Sequence, residues 1–288
     1  MNTTLNNNIQ QDVLTCMLCP HACTLREGQT GLCRVRFNHN STIRSNAYGR
    51  ITSLALDPIE KKPLAHFRPG SMILSVGSYG CNMRCPFCQN ASIAQADENT
   101  ASWQTITPQA LVDLALKHQP QGNIGIAYTY NEPLVNYEFL LDTVRLAHKQ
   151  GLVNALVSNG MINDEPLQAL LPFIDAANID LKAFTQTFYT MTGGYLDTVK
   201  HTIETMAACP TCHLEVTTLV IPDENDSVEE IEAIAQWLAS LDPTIPYHVS
   251  RFFPCYKMTD KRPTPVRHIY QLAEHARAYL RHVYTGNC

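Results

Sequence analysis

The stretch Cys81-Asn-Met-Arg-Cys85-Pro-Phe-Cys88 has three cysteines at a C-x3-C-x2-C spacing and follows a short apolar segment at residues 72–76. Structural zinc sites take four ligands, usually from paired C-x2-C turns, and ferredoxin clusters also take four thiolates. This triad has no fourth cysteine beside it. Three thiolates on a four-iron cube would leave one iron open to bind a small molecule. The alternatives are a zinc ion completed by a distant histidine and three reduced thiols that line a turn.

Strands and helices alternate from residue 72 onward. Apolar and β-branched runs predict six strands, at residues 72–76, 124–129, 153–157, 176–179, 213–220 and 246–249. Helices are predicted at residues 136–149, 165–171, 198–207 and 265–281, after Thr107-Pro108, and after the capping box Ser227-Val-Glu-Glu230. This alternation predicts a parallel α/β sheet, and it does not separate an open doubly wound sheet from a barrel or partial barrel.

Each predicted strand ends in polar residues. Ligand sites on parallel α/β scaffolds lie at the carboxyl ends of the strands, so these residues are expected to share one site. Helix capping accounts for some of the asparagines and serines there, but not for Glu132, Lys182 and Arg251. The candidates at these ends are Asn131, Glu132, Ser158, Asn159, Asp180, Lys182 and Arg251.

A second group of cysteines precedes the predicted barrel. Cys16, Cys19, Cys23 and Cys33 follow a C-x2-C-x3-C-x9-C pattern. Four reduced thiolates suffice for a tetrahedral zinc ion or for a second iron–sulfur cluster, and the sequence leaves both open. His21 is interpreted as a bystander, because four cysteines already complete the ligand set.

The amino-acid composition excludes several classes of protein. The chain has 288 residues, a formal net charge of −5 and 45% apolar residues, which predicts a globular protein without the basic face that binds nucleic acid. Its apolar runs are too short to span a bilayer and its start resembles no signal peptide, so a cytoplasmic protein is expected. Eleven cysteines in that compartment favour metal sites over disulfides.

Three segments are predicted along the chain. Residues 1–12 form a disordered tail, residues 13–70 a cysteine-rich metal-binding module with a connector, and residues 71–288 the α/β barrel. Segments 42–48 and 51–56 are predicted to pair as a hairpin. Residues 57–70 contain three prolines and read as an irregular connector.

The triad, with Phe87 before its last cysteine, resembles the signature of the radical S-adenosylmethionine (SAM) superfamily. The resemblance implies a partial (β/α)6 TIM-like barrel and a [4Fe–4S] cluster held by Cys81, Cys85 and Cys88. It also implies that SAM binds the open iron and is cleaved to a 5′-deoxyadenosyl radical that abstracts hydrogen. The implied SAM contacts are Phe87 near the adenine, Asn131 and Glu132 near the amino group, Ser158 and Asn159 near the ribose or carboxylate, and Asp180 with Lys182.

Longer stretches, among them Cys19-Pro-His-Ala-Cys23, Asp57-Pro-Ile-Glu-Lys-Lys-Pro-Leu64 and Tyr128-Thr-Tyr-Asn-Glu-Pro133, resemble the AmmeMemoRadiSam radical SAM proteins. These were once labelled pyruvate formate-lyase activating enzyme homologues. The resemblance implies an electron donor such as flavodoxin or ferredoxin, MEMO-type proteins as partners, and either a protein glycine or a small molecule as substrate. A non-catalytic iron–sulfur or zinc adaptor is the competing hypothesis.

Overall fold

Parallel strands form the centre of the molecule. The computed structural model describes residues 13–288, and the tail predicted for residues 1–12 lies outside the described residues. The central sheet has eight strands, in the order β14 (Val283–Gly286), β13 (Tyr247–Arg251), β12 (His213–Val220), β11 (Ala176–Asp180), β10 (Val153–Ser158), β9 (Asn123–Tyr128), β7 (Met72–Gly77) and β6 (Ser53–Pro58). Strand β6 is antiparallel to β7, and the other seven strands are parallel to one another.

Helices follow the parallel strands in the order expected for an α/β fold. The strands are β1 Leu14–Thr15, β2 Thr24–Leu25, β3 Arg36–Asn38, β4 Ile43–Ser45, β5 Arg50–Ile51, β6 Ser53–Pro58, β7 Met72–Gly77, β8 Gln104–Thr105, β9 Asn123–Tyr128, β10 Val153–Ser158, β11 Ala176–Asp180, β12 His213–Val220, β13 Tyr247–Arg251 and β14 Val283–Gly286. The helices are α1 Ala91–Ala94, α2 Pro108–Lys117, α3 Tyr137–Lys149, α4 Asp164–Leu170, α5 Gln186–Thr192, α6 Leu196–Ala207, α7 Val228–Leu241 and α8 Val266–Arg277.

The predicted fold class, an α/β partial barrel, is confirmed. All six predicted strands are present within one or two residues of their expected bounds. The sheet does not close, because β6 and β14 are its two edges. His66, in the connector after β6, hydrogen-bonds to Tyr284 of β14, and the ring centroids of His66 and His282 lie 4.2 Å apart.

Three local predictions are wrong. Residues 42–48 and 51–56 do not pair, because β4 pairs with β3 and β6 pairs with β7. The last helix ends at Arg277 rather than at residue 281, and a strand that the sequence pattern did not reveal, β14, follows it. The Ser227 hydroxyl does accept a hydrogen bond from the Glu230 N–H, but the Glu230 carboxylate accepts from the Phe184 N–H instead of completing a capping box.

The predicted irregular connector fills the inside of the partial barrel. Ile59 and Leu64 are fully buried against side chains from the concave face of the sheet, which are Ile73, Ala127, Val153, Ala155 and Ala176. Alternation along each strand separates the two faces, since Leu74 and Val76 belong instead to the core beneath the helices. The connector therefore occupies the part of the barrel interior that these side chains line.

The cysteine-rich module packs on the same end of the barrel as the loops that follow β7 and β10. The Asn163 amide donates to the Met17 carbonyl at 2.7 Å, and the Asn163 N–H donates to the Leu18 carbonyl at 3.0 Å. Arg36 forms an ion pair with Glu138 at the start of α3. Within residues 13–288, no helix is long and apolar enough to cross a bilayer.

Leu64→Ala is expected to lower the free energy of unfolding by about 2–5 kcal/mol, because it removes a fully buried side chain and leaves a cavity inside the barrel. Urea unfolding measures this change. Leu54→Ala is the matched control, because Leu54 is 41% exposed on the edge strand β6. Equal effects of the two substitutions would contradict the assignment of the connector to the barrel core.

Candidate active site

A cavity of about 900 Å³ opens at the carboxyl ends of the parallel strands. Its wall combines residues from the cysteine loop after β7, from the ends of β9 to β14 and from the connector. Chain segments far apart in sequence thus converge on one space, as expected for a strand-end site. Of the residues predicted from the sequence, those that line this cavity are Cys81, Cys85, Phe87, Cys88, Asn131, Glu132, Asn159, Asp180 and Lys182.

The three cysteines of the triad lie on one wall of this cavity. Cys85 is buried, and Cys81 and Cys88 are partly exposed to the cavity. Burial raises the pKa of all three thiols, that of Cys85 to about 11. These thiols keep their protons until a metal replaces them. The arrangement, three thiols with open space in front of them, fits a four-iron cube that has one unliganded corner.

The backbone of the cysteine loop is fixed by the side-chain amide of Asn131. Its oxygen accepts from the Ser78 N–H at 2.9 Å, and its nitrogen donates to the carbonyls of Tyr79 and Gly80 at 3.0 Å each. Asn131 lies at the end of β9, the neighbour of β7. Its observed role is therefore to position the loop, a contact that sequence spacing does not reveal.

Glu132 is the buried carboxylate of the site. It is 3% exposed and accepts hydrogen bonds from the Leu134 N–H, the Asn159 N–H and the Ser158 hydroxyl. Burial raises its pKa to about 7 despite these donors. Ser158 is not among the residues that line the cavity and acts on the site through Glu132.

Asp180 and Lys182 form an ion pair at the end of β11, with Nζ and Oδ2 2.9 Å apart. The Lys182 ammonium is close enough to Cys85 that its charge lowers the pKa of that thiol, against the larger effect of burial. Nearby Asp180 holds the pKa of Lys182 above its usual value although burial opposes this. The Lys182 ammonium, paired with Asp180, therefore stays protonated beside the cysteines.

Phe87 and Arg251 have different surroundings. Phe87 is buried at the cavity wall and its ring centroid lies 5.8 Å from that of Phe188. Arg251 is not among the cavity-lining residues. Its Nε donates to the Thr264 carbonyl at 2.7 Å, and its guanidinium lies over the ring of exposed Phe253. The structure thus brings Phe87 to the predicted site and leaves Arg251 outside it.

The connector contributes polar cavity residues that the sequence did not identify. Lys62 forms an ion pair with Asp57 at 2.9 Å, and the Tyr130 hydroxyl donates to the same carboxylate at 2.8 Å. Although burial opposes it, these two partners lower the pKa of Asp57 to about 2. In the sequence, the only sign of these cavity residues was an acid and lysines close together in a proline-rich stretch. The folded connector shows that Asp57 and Lys62 face the site.

Glu215 forms the centre of a second missed network, inside the barrel. Its carboxylate accepts from the backbone N–H groups of Ala65 and His66, and it bonds to the Nε2 atoms of His213 and His248 at 2.9 and 2.6 Å. Burial opposes ionisation, but these partners lower the pKa of Glu215 to about 2. His248 and the neighbouring Tyr284 both line the cavity, so this network supports one of its walls.

Cys16, Cys19, Cys23 and Cys33 converge on a separate small pocket. His21, Arg36 and Asn82 also line it. His21 hydrogen-bonds to the carbonyl of Asn82 at 2.7 Å. In residues 13–288, no group of three or more His, Cys, Asp or Glu side chains is arranged to hold one metal ion. In a cube each cysteine binds a different iron, so this observation applies to mononuclear sites.

The model of the radical SAM superfamily matches residues 75–238, more than half of the chain. The chain belongs to the radical SAM superfamily. Members of this superfamily use a [4Fe–4S] cluster and SAM, so these two predicted cofactors are confirmed. The zinc ion or second cluster predicted at the N-terminal cysteines stays a prediction. The narrower AmmeMemoRadiSam assignment stays a prediction.

Two relatives extend this result. An uncharacterized protein of Methanocaldococcus jannaschii is 37% identical over 281 residues, which cover 97% of this chain and 83% of the relative. A pyruvate formate-lyase-activating enzyme of Clostridium pasteurianum is 24% identical over 182 residues, which cover 59% of this chain and 72% of that enzyme. The resemblance of this radical SAM protein to the activating enzymes is thus confirmed.

Solved structures support the fold. Streptococcus suis SuiB bound to S-adenosylmethionine matches with a TM-score of 0.56 and 13% identity, over 73% of this chain and 48% of SuiB. QueE from Escherichia coli matches with a TM-score of 0.52 and 15% identity, over 82% of this chain and 92% of QueE. At these identities the matches establish a shared fold.

Replacing the Glu215 carboxylate by an amide tests the inner network. The folded pKa of about 2 lies below the unfolded value of 4.5, so the stabilisation is present above pH 4.5 and is lost as the pH falls through about 2. Wild-type metal-free protein is expected to lose roughly 3 kcal/mol of unfolding free energy over this range. The Glu215→Gln variant is expected to lack that loss, and to be less stable than wild type at pH 7.

Urea unfolding at a series of pH values measures the effect. Glu204→Gln, which changes an exposed carboxylate on α6, is the control and is expected to follow the wild-type curve. Parallel curves for wild type and Glu215→Gln would show that the buried carboxylate contributes nothing to acid stability.

Proposed function

We propose that Cys81, Cys85 and Cys88 hold the [4Fe–4S] cluster and that SAM binds in the strand-end cavity directly in front of them. The observation that carries this proposal is that, among residues 13–288, three thiols and no fourth line the cavity of about 900 Å³. When bound, the cluster and SAM supply a 5′-deoxyadenosyl radical that abstracts a hydrogen atom from the substrate. The chain's own residues bind and orient SAM and shield the site from water.

The charges at the strand ends match the methionine part of SAM. The Lys182 ammonium binds its carboxylate, because a lysine paired with one acid retains free N–H donors. Glu132 accepts from its ammonium group. Three hydrogen bonds leave one of the roughly four lone-pair sites of this carboxylate free. Phe87, held against Phe188, provides an apolar surface for the adenine.

A protein is the substrate class that the rim of the cavity favours. Phe253 and Tyr256 are 40% and 41% exposed on the loop after β13. This loop packs on the cysteine loop, since the Lys257 N–H donates to the Pro86 carbonyl and the Cys255 thiol to the Phe87 carbonyl. Exposed aromatic residues are enriched where proteins bind proteins. Similarity to a pyruvate formate-lyase-activating enzyme supports the same class.

Cys85→Ala is expected to lower 5′-deoxyadenosine formation from SAM and dithionite by about two orders of magnitude or more, because two cysteines do not retain the cube. The measurement is product quantification after anaerobic reconstitution with iron and sulfide. Cys288→Ala, at an exposed position, is the control. Full turnover by Cys85→Ala would overturn the cluster assignment. An EPR signal of the reduced cluster that SAM does not shift would favour the non-catalytic adaptor.

Lys182→Met is expected to weaken SAM binding about tenfold or more, because a hydrogen bond to a charged group contributes about 1.5–3 kcal/mol. Equilibrium binding of SAM to the reconstituted protein measures the dissociation constant. Lys149→Met removes an equivalent charge from the exposed end of α3 and serves as the control. Equal affinities of the two variants would exclude Lys182 from the SAM site.

The substrate class is tested with proteins encoded beside the gene, MEMO-type proteins included, under anaerobic conditions with SAM and a reductant. Mass spectrometry and EPR detect a modified side chain or a glycyl radical. Phe253→Ala with Tyr256→Ala is expected to lower the ratio of partner modification to uncoupled SAM cleavage by about tenfold, as for interface hot spots. Tyr270→Ala, exposed on α8, is the control. An unchanged ratio would favour a small molecule inside the cavity.

A further inference from the structure

We propose that Cys16, Cys19, Cys23 and Cys33 hold a second [4Fe–4S] cluster that passes single electrons to the catalytic cysteine loop. The inference rests on the proposed function, since the electron is consumed where Cys81, Cys85 and Cys88 lie. It adds a redox site and a direction of electron flow that neither the superfamily match nor the relatives supply.

The chemistry of the pocket fits an anionic iron–sulfur cluster. Four cysteines line it, together with the guanidinium of Arg36. Arg36 is 8% exposed, and its Nε atom has no hydrogen-bond partner among the described residues. A cube held by four thiolates carries a net charge of about −2 when oxidised, and an additional negative charge when reduced. The unpartnered donor of a buried cation is positioned to stabilise that charge through sulfur.

The position of the pocket favours a cluster over zinc. Four cysteines line it, which is the ligand number of a tetrahedral zinc ion and also of a four-iron cube. Zinc undergoes no redox chemistry, whereas an iron–sulfur cluster carries single electrons. Asn82, which directly follows Cys81, lines the same pocket, so a group bound here lies beside the loop where the electron is consumed.

Two contacts connect this pocket to the catalytic loop. Gly80, which directly precedes Cys81, packs against the module so closely that an added Cβ would lie 2.6 Å from the Cys33 carbonyl oxygen. Asn82, which directly follows Cys81, accepts a hydrogen bond at its carbonyl from the ring of His21, which lies between Cys19 and Cys23. The residues on both sides of Cys81 thus touch the cysteine-rich module, leaving a short path for electron transfer.

A third contact fixes the relative position of the two sites. Asn159, a cavity residue, donates to the Asn82 side chain at 2.9 Å and lies 3.6 Å from the sulfur of Cys81. The Asn82 amide in turn donates to the Met161 carbonyl at 2.7 Å. Hydrogen bonds on each side of Asn82 therefore hold the pathway rigid between the two groups of cysteines.

The transfer involves one electron at each step. A reduced protein carrier of the flavodoxin or ferredoxin class gives up one electron and is oxidised. The second cluster accepts it, changing from the 2+ to the 1+ state, and then returns to 2+ as the catalytic cluster is reduced from 2+ to 1+. No bond forms or breaks in this relay, and the carrier supplies every electron consumed.

Metal analysis is the first test. The Cys81→Ala/Cys85→Ala/Cys88→Ala variant leaves the N-terminal site intact, and after anaerobic reconstitution with iron, sulfide and zinc it is expected to hold about four iron atoms and no zinc. Wild type is expected to hold about eight iron atoms, as is the control Cys209→Ala/Cys212→Ala. One zinc per chain, or no metal, in the triple variant would overturn the proposal regardless of whether wild type cleaves SAM.

The order of reduction is the second test, and it uses the wild-type protein. Reduced flavodoxin is mixed with the reconstituted protein and SAM, and the reaction is freeze-quenched for EPR. The SAM-insensitive signal is expected to appear before the SAM-responsive one. Simultaneous appearance, or the SAM-responsive signal first, would overturn the relay.

A variant separates the relay from catalysis. Cys19→Ser/Cys33→Ser is expected to slow flavodoxin-driven reduction of the SAM-responsive cluster at least tenfold, whereas direct reduction by dithionite still yields 5′-deoxyadenosine. An unchanged rate with flavodoxin would refute the relay and leave the catalytic proposal standing. Loss of the dithionite reaction in wild type would instead refute the proposed function.

Discussion

The side-chain amide of Asn131 is the constraint on which the site depends. It makes hydrogen bonds to Ser78, Tyr79 and Gly80, and so ties the chain leaving β7 to the end of β9. Each of these bonds is buried, and losing a partner inside a protein costs more than a surface bond would. The position of the cysteine triad is therefore set by the pairing of two parallel strands, rather than by the conformational preferences of a loop.

Two buried carboxylates divide the barrel into regions of different electrostatic character. Glu215 lies among two histidines and two backbone N–H groups, and it remains ionised far below neutral pH. Glu132 has hydrogen-bond donors but, within the part of the chain that the structure describes, no ion-pair partner, so burial dominates and its pKa rises to about 7. An ammonium group entering the cavity would supply the missing charge and favour the ionised form. The inner network is thus satisfied by the protein alone, whereas the outer carboxylate suits a cationic ligand.

Sequence patterns predicted the parts of the fold that depend on local periodicity. Strands such as residues 213–220 carry their own signal, and the polar residues after them marked Glu132 and Lys182 correctly as cavity residues. Non-local packing determines the rest. Arg251 follows a strand end yet turns toward Thr264, while Asp57 and Lys62 reach the cavity because a proline-rich segment enters the barrel. The hydrophobic periodicity of a sequence does not reveal such long-range contacts.

The two segments outside the alternating strands and helices complete the site from opposite sides. The connector places Ile59 and Leu64 inside the barrel, so the open cavity is confined to the carboxyl ends of the strands. The cysteine-rich module packs behind the cysteine loop after β7, and only a glycine at position 80 allows it to approach so closely. A side chain there would meet the Cys33 backbone and separate the two groups of cysteines. The absence of one Cβ therefore couples the module to the barrel.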